Sequence, residues 1–140
     1  MQRDRRRYHD PAMPPPPVTR LSPVESLRID NDLVEGLYAD LGREAADLVV
    51  CRALEDLANR MNRIEAEHRA CAFDLVQKEA RRIMAVAQQI GLTEIANAAS
   101  AVRHCAQAGQ TIATVATLAR LRRLNDRAMT EIWAGRDAAP

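Results

Sequence analysis

The three histidines are the side chains of this chain best suited to proton or phosphoryl transfer, because the ordinary pKa of an imidazole lies near neutrality. They are His9, His68 and His104. None of them belongs to a recognisable catalytic pattern. We find no paired carboxylates with a neighbouring histidine, no glycine-rich phosphate loop and no pattern that indicates a Ser-His-Asp triad. The sequence therefore predicts no catalytic residue, and we expect that the chain is not an enzyme.

Arginines are the second group that could do chemistry, by holding a dicarboxylate substrate in a pocket. Arg60, Arg63, Arg81 and Arg82 are the arginines that such a pocket would use. It would require several of them to point inward, yet the apolar residues occupy the inward positions of the helices described below. We therefore expect these arginines to lie mostly on solvated faces, where charge is not costly.

The cysteines suggest neither a metal site nor a disulfide framework. Cys51, Cys71 and Cys105 are odd in number and far apart, and no CxxC pair occurs. We interpret them as small core residues in a reducing compartment. The sequence accordingly predicts no metal and no cofactor.

Composition and charge argue against nucleic acid and membranes as binding partners. The 20 basic and 19 acidic residues give a net charge of +1, which argues against nucleic acid as the main partner. No apolar run approaches the roughly 20 residues of a membrane span, and no apolar region follows the N-terminal arginines as in a signal peptide. We expect a cytoplasmic protein without membrane contact.

The N-terminal segment has a different composition from the rest. Residues 1–28 contain Arg3, Arg5, Arg6 and Arg7 and a proline run at 14–17, and we predict that this segment is a disordered tail. The proline run could bind an aromatic groove, and the arginines could contact an acidic surface. We assign residues 29–135 to one folded domain and residues 136–140 to a flexible C-terminus.

Apolar residues recur at helical spacing through the folded domain. Asp30, Asn31 or Asp32 caps a short first helix with Leu33, Leu37 and Leu41, which Gly42 interrupts or ends. A long second helix follows. Whether it is continuous stays open, since a break anywhere between Glu67 and Asp74 would suit Asp74 as the cap of a new helix. Its apolar stripe steps alternately by four and three residues: Val50, Leu54, Leu57, Met61, Ile64, His68, Cys71 and Leu75.

Three further helices complete the predicted fold. The third runs from about Asp74 to Ile90 and ends at Gly91, with Val76, Ala80, Ile83, Ala87 and Ile90 inward. The fourth is capped by Thr93 and ends at Gly109, with Ile95, Ala99, Val102 and Ala106 inward. The last runs from about Thr111 to Trp133, with Val115, Leu118, Leu121, Leu124, Ala128 and Ile132 as its apolar residues. Because the connections are short, we predict an all-α fold, an antiparallel four-helix bundle with a short leading helix.

The segment LVQKEARRIMAVAQQIGLTEIANAASAVRHCAQAGQ, residues 75–110, resembles the central hairpin of histidine-containing phosphotransfer (HPt) domains. In that family a helix bears the motif His-x-Leu-Lys-Gly, a glycine ends this helix ten residues after the histidine, and a second helix rich in small residues closes at another glycine. Gly91 and Gly109 match these two glycines. The upstream part, LVEGLYADLGREAADLVVCRALEDL, is similar to the family's opening short helix, its glycine-containing turn and its long second helix. About 105 residues are covered.

The departures from the family motif fall on its reactive positions. Arg81 stands where the phosphorylated histidine would be, Ile83 replaces the leucine, Met84 the lysine and Ala85 the glycine. A phosphoryl carrier needs a neutral ring nitrogen, whereas the guanidinium of arginine stays protonated and lacks a free lone pair. The resemblance therefore implies a degenerate member of the family, without the phospho-accepting histidine.

The resemblance also implies a partner and a binding face. Receiver domains of two-component systems bind the helix that carries the active histidine, so the corresponding face here shows Arg81, Arg82, Met84, Ala85 and Gln88. We expect a non-catalytic HPt-like signalling domain that binds a receiver domain of a response regulator or a histidine kinase. Two alternatives remain open: a homodimer or scaffold subunit that associates through the stripe of residues 50–75, and phosphotransfer through His68 or His104.

Overall fold

The computed structural model describes residues 27–137, with side chains as far as residue 132, and this part of the chain is helical without any strand. Its five helices are α1 (Asn31–Leu41), α2 (Arg43–Arg69), α3 (Phe73–Gln89), α4 (Thr93–Gln107) and α5 (Thr111–Asp137). The prediction of an all-α fold is confirmed. Most of the predicted tail and residues 138–140 lie outside the described residues.

The predicted boundaries at Asp30 and at the glycines are confirmed. The Asp30 carboxylate accepts a hydrogen bond from the backbone N–H of Leu33 at 3.1 Å and so caps α1. Gly91, between α3 and α4, has a φ of +74°, and a Cβ atom there would lie 3.0 Å from the backbone oxygen of Asp30. The backbone N–H of Asp30 donates to the carbonyl of Gly91 at 2.8 Å. This turn therefore anchors the start of α1, and only glycine fits it without strain.

Two predicted caps are wrong. Asp74 lies inside the first turn of α3, and Ala72 precedes the helix without a side-chain hydrogen bond. Leu92 stands in the same position before α4, so Thr93 is the first helical residue and not the cap. The Asp74 carboxylate still lies near the positive end of the helix dipole, which is favourable without a capping geometry.

The core consists of apolar side chains from α2, α3, α4 and α5. The predicted inner faces of α3 and α4 are confirmed, since every residue assigned to them is buried. On α2 and α5 the largest side chains in the core include Leu54, Leu57, Met61, Ile64, Leu121 and Leu124, all at most 1% exposed.

Some residues at the ends of the predicted apolar stripes are exposed and not buried. Cys71 and Leu75 are exposed because α2 ends at Arg69, and the turn that follows breaks the helical register on which the stripe was extended. Val115 is 50% exposed in the first turns of α5. Cys71 is therefore not a core residue, and it has a positive φ of 55° in that turn.

Helices that follow one another in the chain are packed together, and α5 also contacts α2. The Arg122 side chain makes this second connection by donating to Glu65 and, at 2.9 Å, to the amide oxygen of Asn62. The last helix extends four residues past Trp133, its predicted end.

Candidate partner-binding face

The side of α3 that faces away from the core carries the five residues singled out from the sequence. Because Val76, Ala80, Ile83 and Ala87 are buried at 2% exposure or less, the remaining positions of the helix turn outward. Arg81, Arg82, Ala85 and Gln88 are exposed, and Met84 is half-buried against the core. We call these five residues, Arg81, Arg82, Met84, Ala85 and Gln88, the α3 outer face.

A buried carboxylate holds Arg82 in place. Glu79, one turn earlier on α3, is 1% exposed, and its two oxygens accept hydrogen bonds from Arg82 at 3.3 Å and from Arg60 of α2 at 2.9 Å. Arg60 also donates to Asp56 at 3.1 Å. The hydrogen bond to Glu79 is the main reason that the pKa of Arg60 is raised. Glu79 therefore joins α2 to α3 directly behind the outer face.

Sequence reasoning missed Glu79 and the inward position of Arg60. A signal existed, because Glu79 follows Val76 by three residues and precedes Ile83 by four, which places it within the buried stripe of α3. The expectation that the arginines lie on solvated faces holds for Arg63, Arg81 and Arg82, which are exposed. Arg60 differs because its guanidinium reaches inward to a buried carboxylate.

A second carboxylate, that of Glu67, lies near the ion pairs of Glu79, and one of its oxygens lacks a hydrogen-bond donor among the described residues. The Oε2 atom of Glu67 on α2 is buried and has no hydrogen-bond partner within residues 27–132. Burial raises the pKa of Glu67, the charge of Glu79 raises it further, and Arg63 and Arg82 lower it. The Glu67 carboxyl group, in the seam between α2 and α3, therefore keeps its proton up to a higher pH than an ordinary glutamate does.

Arg81 differs from Arg82 in its surroundings. Its guanidinium is exposed and forms no hydrogen bond or ion pair with any other residue between 27 and 132. Lys78, also exposed, precedes Arg81 by three residues and so lies on the same side of the helix. Sequence reasoning left out Lys78, although its spacing from Arg81 was a sufficient signal. This side of α3 therefore presents positive charge that the described part of the protein does not neutralise.

The two histidines in the described part of the chain lie at helix ends. His104, exposed in the last turn of α4, has its Nδ1 atom 2.7 Å from the backbone oxygen of Ser100. Since a carbonyl only accepts, Nδ1 carries the proton in the neutral ring and Nε2 has the lone pair. His68, in the last turn of α2, is half-buried with its ring edge-on to Phe73 at 6.2 Å. His9 lies outside the described residues.

Neither histidine has the neighbours of the family motif on its own helix. Of the residues three and four positions from His104, Ser100, Ala101 and Ala108 have small side chains and Gln107 is polar but uncharged, so none provides a cation. Among the residues that the structure describes, no three His, Cys, Asp or Glu side chains form a group that could hold a metal ion. Cys51, Cys71 and Cys105 form no disulfide bond with one another.

Within the described residues, no helix combines the length and apolar character needed to cross a bilayer. Comparison of the chain with protein-family models, curated proteins and solved structures found no match. The description of the candidate face therefore rests on its own geometry.

Proposed function

We propose that this protein is a non-catalytic, HPt-like signalling domain that binds a protein partner through the α3 outer face. The favoured partner is the receiver domain of a response regulator in a two-component phosphorelay, with a histidine kinase as the other candidate. One observation supports the proposal: Arg81 is exposed and has no partner among residues 27–132. If the resemblance to phosphotransfer domains holds, Arg81 takes the position of their reactive histidine.

The proposal includes an antiparallel arrangement of α2 to α5, with α1 as a short leading helix. Short turns between successive helices favour it, since such connections let neighbours run only up and down. The ends of three helices also meet as this arrangement requires. Phe73 at the start of α3, Ala106 at the end of α4 and Thr111 at the start of α5 line the same small cavity.

The chemistry of the α3 outer face favours binding over phosphoryl transfer. The Arg81 guanidinium stays protonated, so it offers no lone pair to a phosphoryl group, but it can enter the acidic phospho-acceptor pocket of a receiver. Ala85, one turn further on, is small enough to let a partner approach closely. The half-buried Met84 supplies an adaptable apolar contact beside them. The domain would then compete with true phosphotransfer proteins or bind one state of the receiver.

Affinity measurements with receiver domains from the same genome test the proposal. Truncating one member of a buried, hydrogen-bonded charge pair costs about 2 kcal/mol or more, so Arg81→Ala should weaken binding at least about 30-fold. The matched control is Arg52→Ala, which removes an exposed arginine from α2 and should leave the affinity unchanged. Equal affinities of the wild type and Arg81→Ala would contradict the proposed role of this face.

Transfer experiments address the phosphotransfer alternative. We expect that incubation with a labelled phospho-receiver leaves no acid-labile label on the chain, because the nearest equivalent of the active position is Arg81. Label that disappears in a His104→Gln or a His68→Gln variant would show that one of these histidines is a phosphoryl acceptor. The proposal of a non-catalytic domain would then be wrong.

A homodimer remains the second candidate, but through a different surface from the one the sequence suggested. The stripe of residues 50–75 is used within the chain, because its members from Leu54 to Ile64 are buried in the core. Large apolar side chains are exposed instead near the beginnings of α3 and α5: Phe73 37%, Leu75 47%, Ile112 88% and Val115 50%. Sedimentation should detect a dimer that Ile112→Asp dissociates if this surface is the interface.

A further inference from the structure

A groove lies in the seam between the last turns of α2 and the first half of α5. Its volume is about 270 Å³, just below the roughly 300–1,000 Å³ of pockets that hold drug-sized molecules. Val115, Leu118 and Ala119 of α5 form its apolar side, and Val115 and Ala119 are exposed. We call this space the α2–α5 groove. Its residues belong to α2 and α5, so it is separate from the α3 outer face.

Four polar side chains form the other side of the α2–α5 groove. Glu65, His68 and Arg69 belong to α2, and Arg122 belongs to α5. Glu65 precedes Arg69 by four residues, which is a favourable spacing for an ion pair along one helix. The Glu65 carboxylate instead pairs with Arg122 across the seam. Arg69 is exposed and forms no ion pair or hydrogen bond within residues 27–132. The described chain therefore leaves this guanidinium available to a ligand.

The end of α2 does not occupy the two basic side chains of its last turn. Such side chains can donate to the last carbonyl groups of a helix. Here the backbone N–H groups of residues 70–72 donate to the carbonyl groups of residues 66–68 at 2.9–3.0 Å. The His68 ring lies edge-on to Phe73, with the ring centroids 6.2 Å apart, and forms no hydrogen bond with the described residues. Its N–H group is therefore a second donor beside Arg69.

We propose that the α2–α5 groove binds a small organic acid. Its carboxylate would lie on Arg69 and His68, because the planar guanidinium fork binds a carboxylate through two parallel hydrogen bonds. Its apolar part would cover Val115 and Ala119. With a neutral histidine, two arginines and one glutamate give the lining a net charge of +1, which matches a monoanion. The apolar side distinguishes such an acid from an inorganic anion, which would leave this side in contact with water.

Titration of the isotope-labelled full chain with hexanoate tests the proposal. We expect saturable chemical-shift changes at residues 65–69 and 115–122 and in the His68 ring, with a Kd in the millimolar range for so small a ligand. Hexylamine has the same apolar tail with the opposite charge and should cause no saturable change at these residues. Inorganic phosphate lacks the tail and should bind at least about fivefold more weakly. Hexylamine or phosphate binding as tightly as hexanoate would overturn the proposal.

Two pairs of matched variants locate the site. Arg69→Gln should weaken hexanoate binding at least about fivefold, because it removes a hydrogen bond between two charged groups. Arg52→Gln, at an exposed position of α2 outside the groove, should leave the Kd unchanged. Ala119→Glu places a negative charge in the groove and should abolish binding, whereas Ala116→Glu, one turn earlier and outside the groove, should not. All four side chains are exposed, so none of these changes removes a core contact.

The absence of saturable changes in the wild type up to about 50 mM hexanoate would overturn the proposal. An unchanged Kd in Arg69→Gln or in Ala119→Glu would also overturn it, since hexanoate would then bind elsewhere or only adventitiously. A loss of affinity in Ala116→Glu as large as in Ala119→Glu would do the same, because the effect would then come from the net charge and not from the groove.

Discussion

The ion-pair cluster behind the α3 outer face makes a quantitative prediction for Glu79→Gln. The Glu79 side chain is 1% exposed and pairs with Arg60 at 2.9 Å and Arg82 at 3.3 Å. Removing one partner of a fully buried pair costs about 3–5 kcal/mol. Here the Arg60 and Arg82 side chains are 22% and 56% exposed, so water can solvate both guanidiniums. We therefore expect a loss of about 1–2 kcal/mol, most of it from Arg60.

Urea and thermal unfolding at pH 7 measure this loss. For a domain of this size the Tm should fall by about 5–10 °C. Glu55→Gln, which neutralises an exposed carboxylate on α2, is the matched control and should change the Tm little. If Glu79→Gln unfolds at the same Tm as the wild type, the cluster does not hold α2 against α3, and the account of how Arg82 is positioned fails.

Three further predictions test other parts of the structure. Because folding raises the pKa of Glu67, stability increases as the pH falls through that raised value, and the charged form is a cost at neutral pH. Glu67→Gln should therefore raise the Tm at pH 7 by a few degrees, and the gain should shrink toward pH 4 in melts followed by circular dichroism. Gly91→Ala should cost about 1 kcal/mol more in urea unfolding than Gly109→Ala, because both glycines have positive φ but only the first meets another backbone atom. Finally, Arg81→His combined with Met84→Lys introduces an imidazole and a cation at the spacing of the HPt motif. If the proposed HPt-like function is correct, this variant should acquire acid-labile label from a phospho-receiver.

Much of the fold follows from residue spacing, because helix period and glycine stops are local properties. Every residue assigned to the inner faces of α3 and α4 is buried, since each helix repeats in one register and is followed by a glycine. Gly91 and Gly109 mark the ends of these helices by the left-handed backbone conformation that they adopt. These signals need no knowledge of the neighbouring helices.

The errors arise where the outcome depends on other parts of the chain. Cys71 and Leu75 continue the apolar spacing of α2 in sequence, but the turn that contains Cys71 takes both residues out of the helical register of α2. No glycine or proline in the sequence marks this turn. Val115 fits the periodicity of α5 and is nevertheless 50% exposed. Periodicity gives the face of a helix, whereas burial also depends on how far the neighbouring helix extends.

The residues of the candidate face and of the ion-pair cluster behind it were predictable only in part. Spacing from Gly91 placed Arg81 on α3, and the buried stripe implied that Arg81 turns outward. The pairing of Glu79 with Arg60 connects residues 19 positions apart on different helices, and no local pattern encodes it. The same holds for Glu67, whose raised pKa results from burial and from the charge of Glu79 across the helix seam.

Titration of the isotope-labelled protein with a receiver domain, followed by backbone amide chemical shifts, tests the central claim most directly. The account predicts that the largest shift changes fall on α3 from Arg81 to Gln88. It also predicts that they disappear in Arg81→Ala and persist in Arg52→Ala. Changes confined to α1 or α5, or no changes with any receiver domain of the same genome, would contradict it.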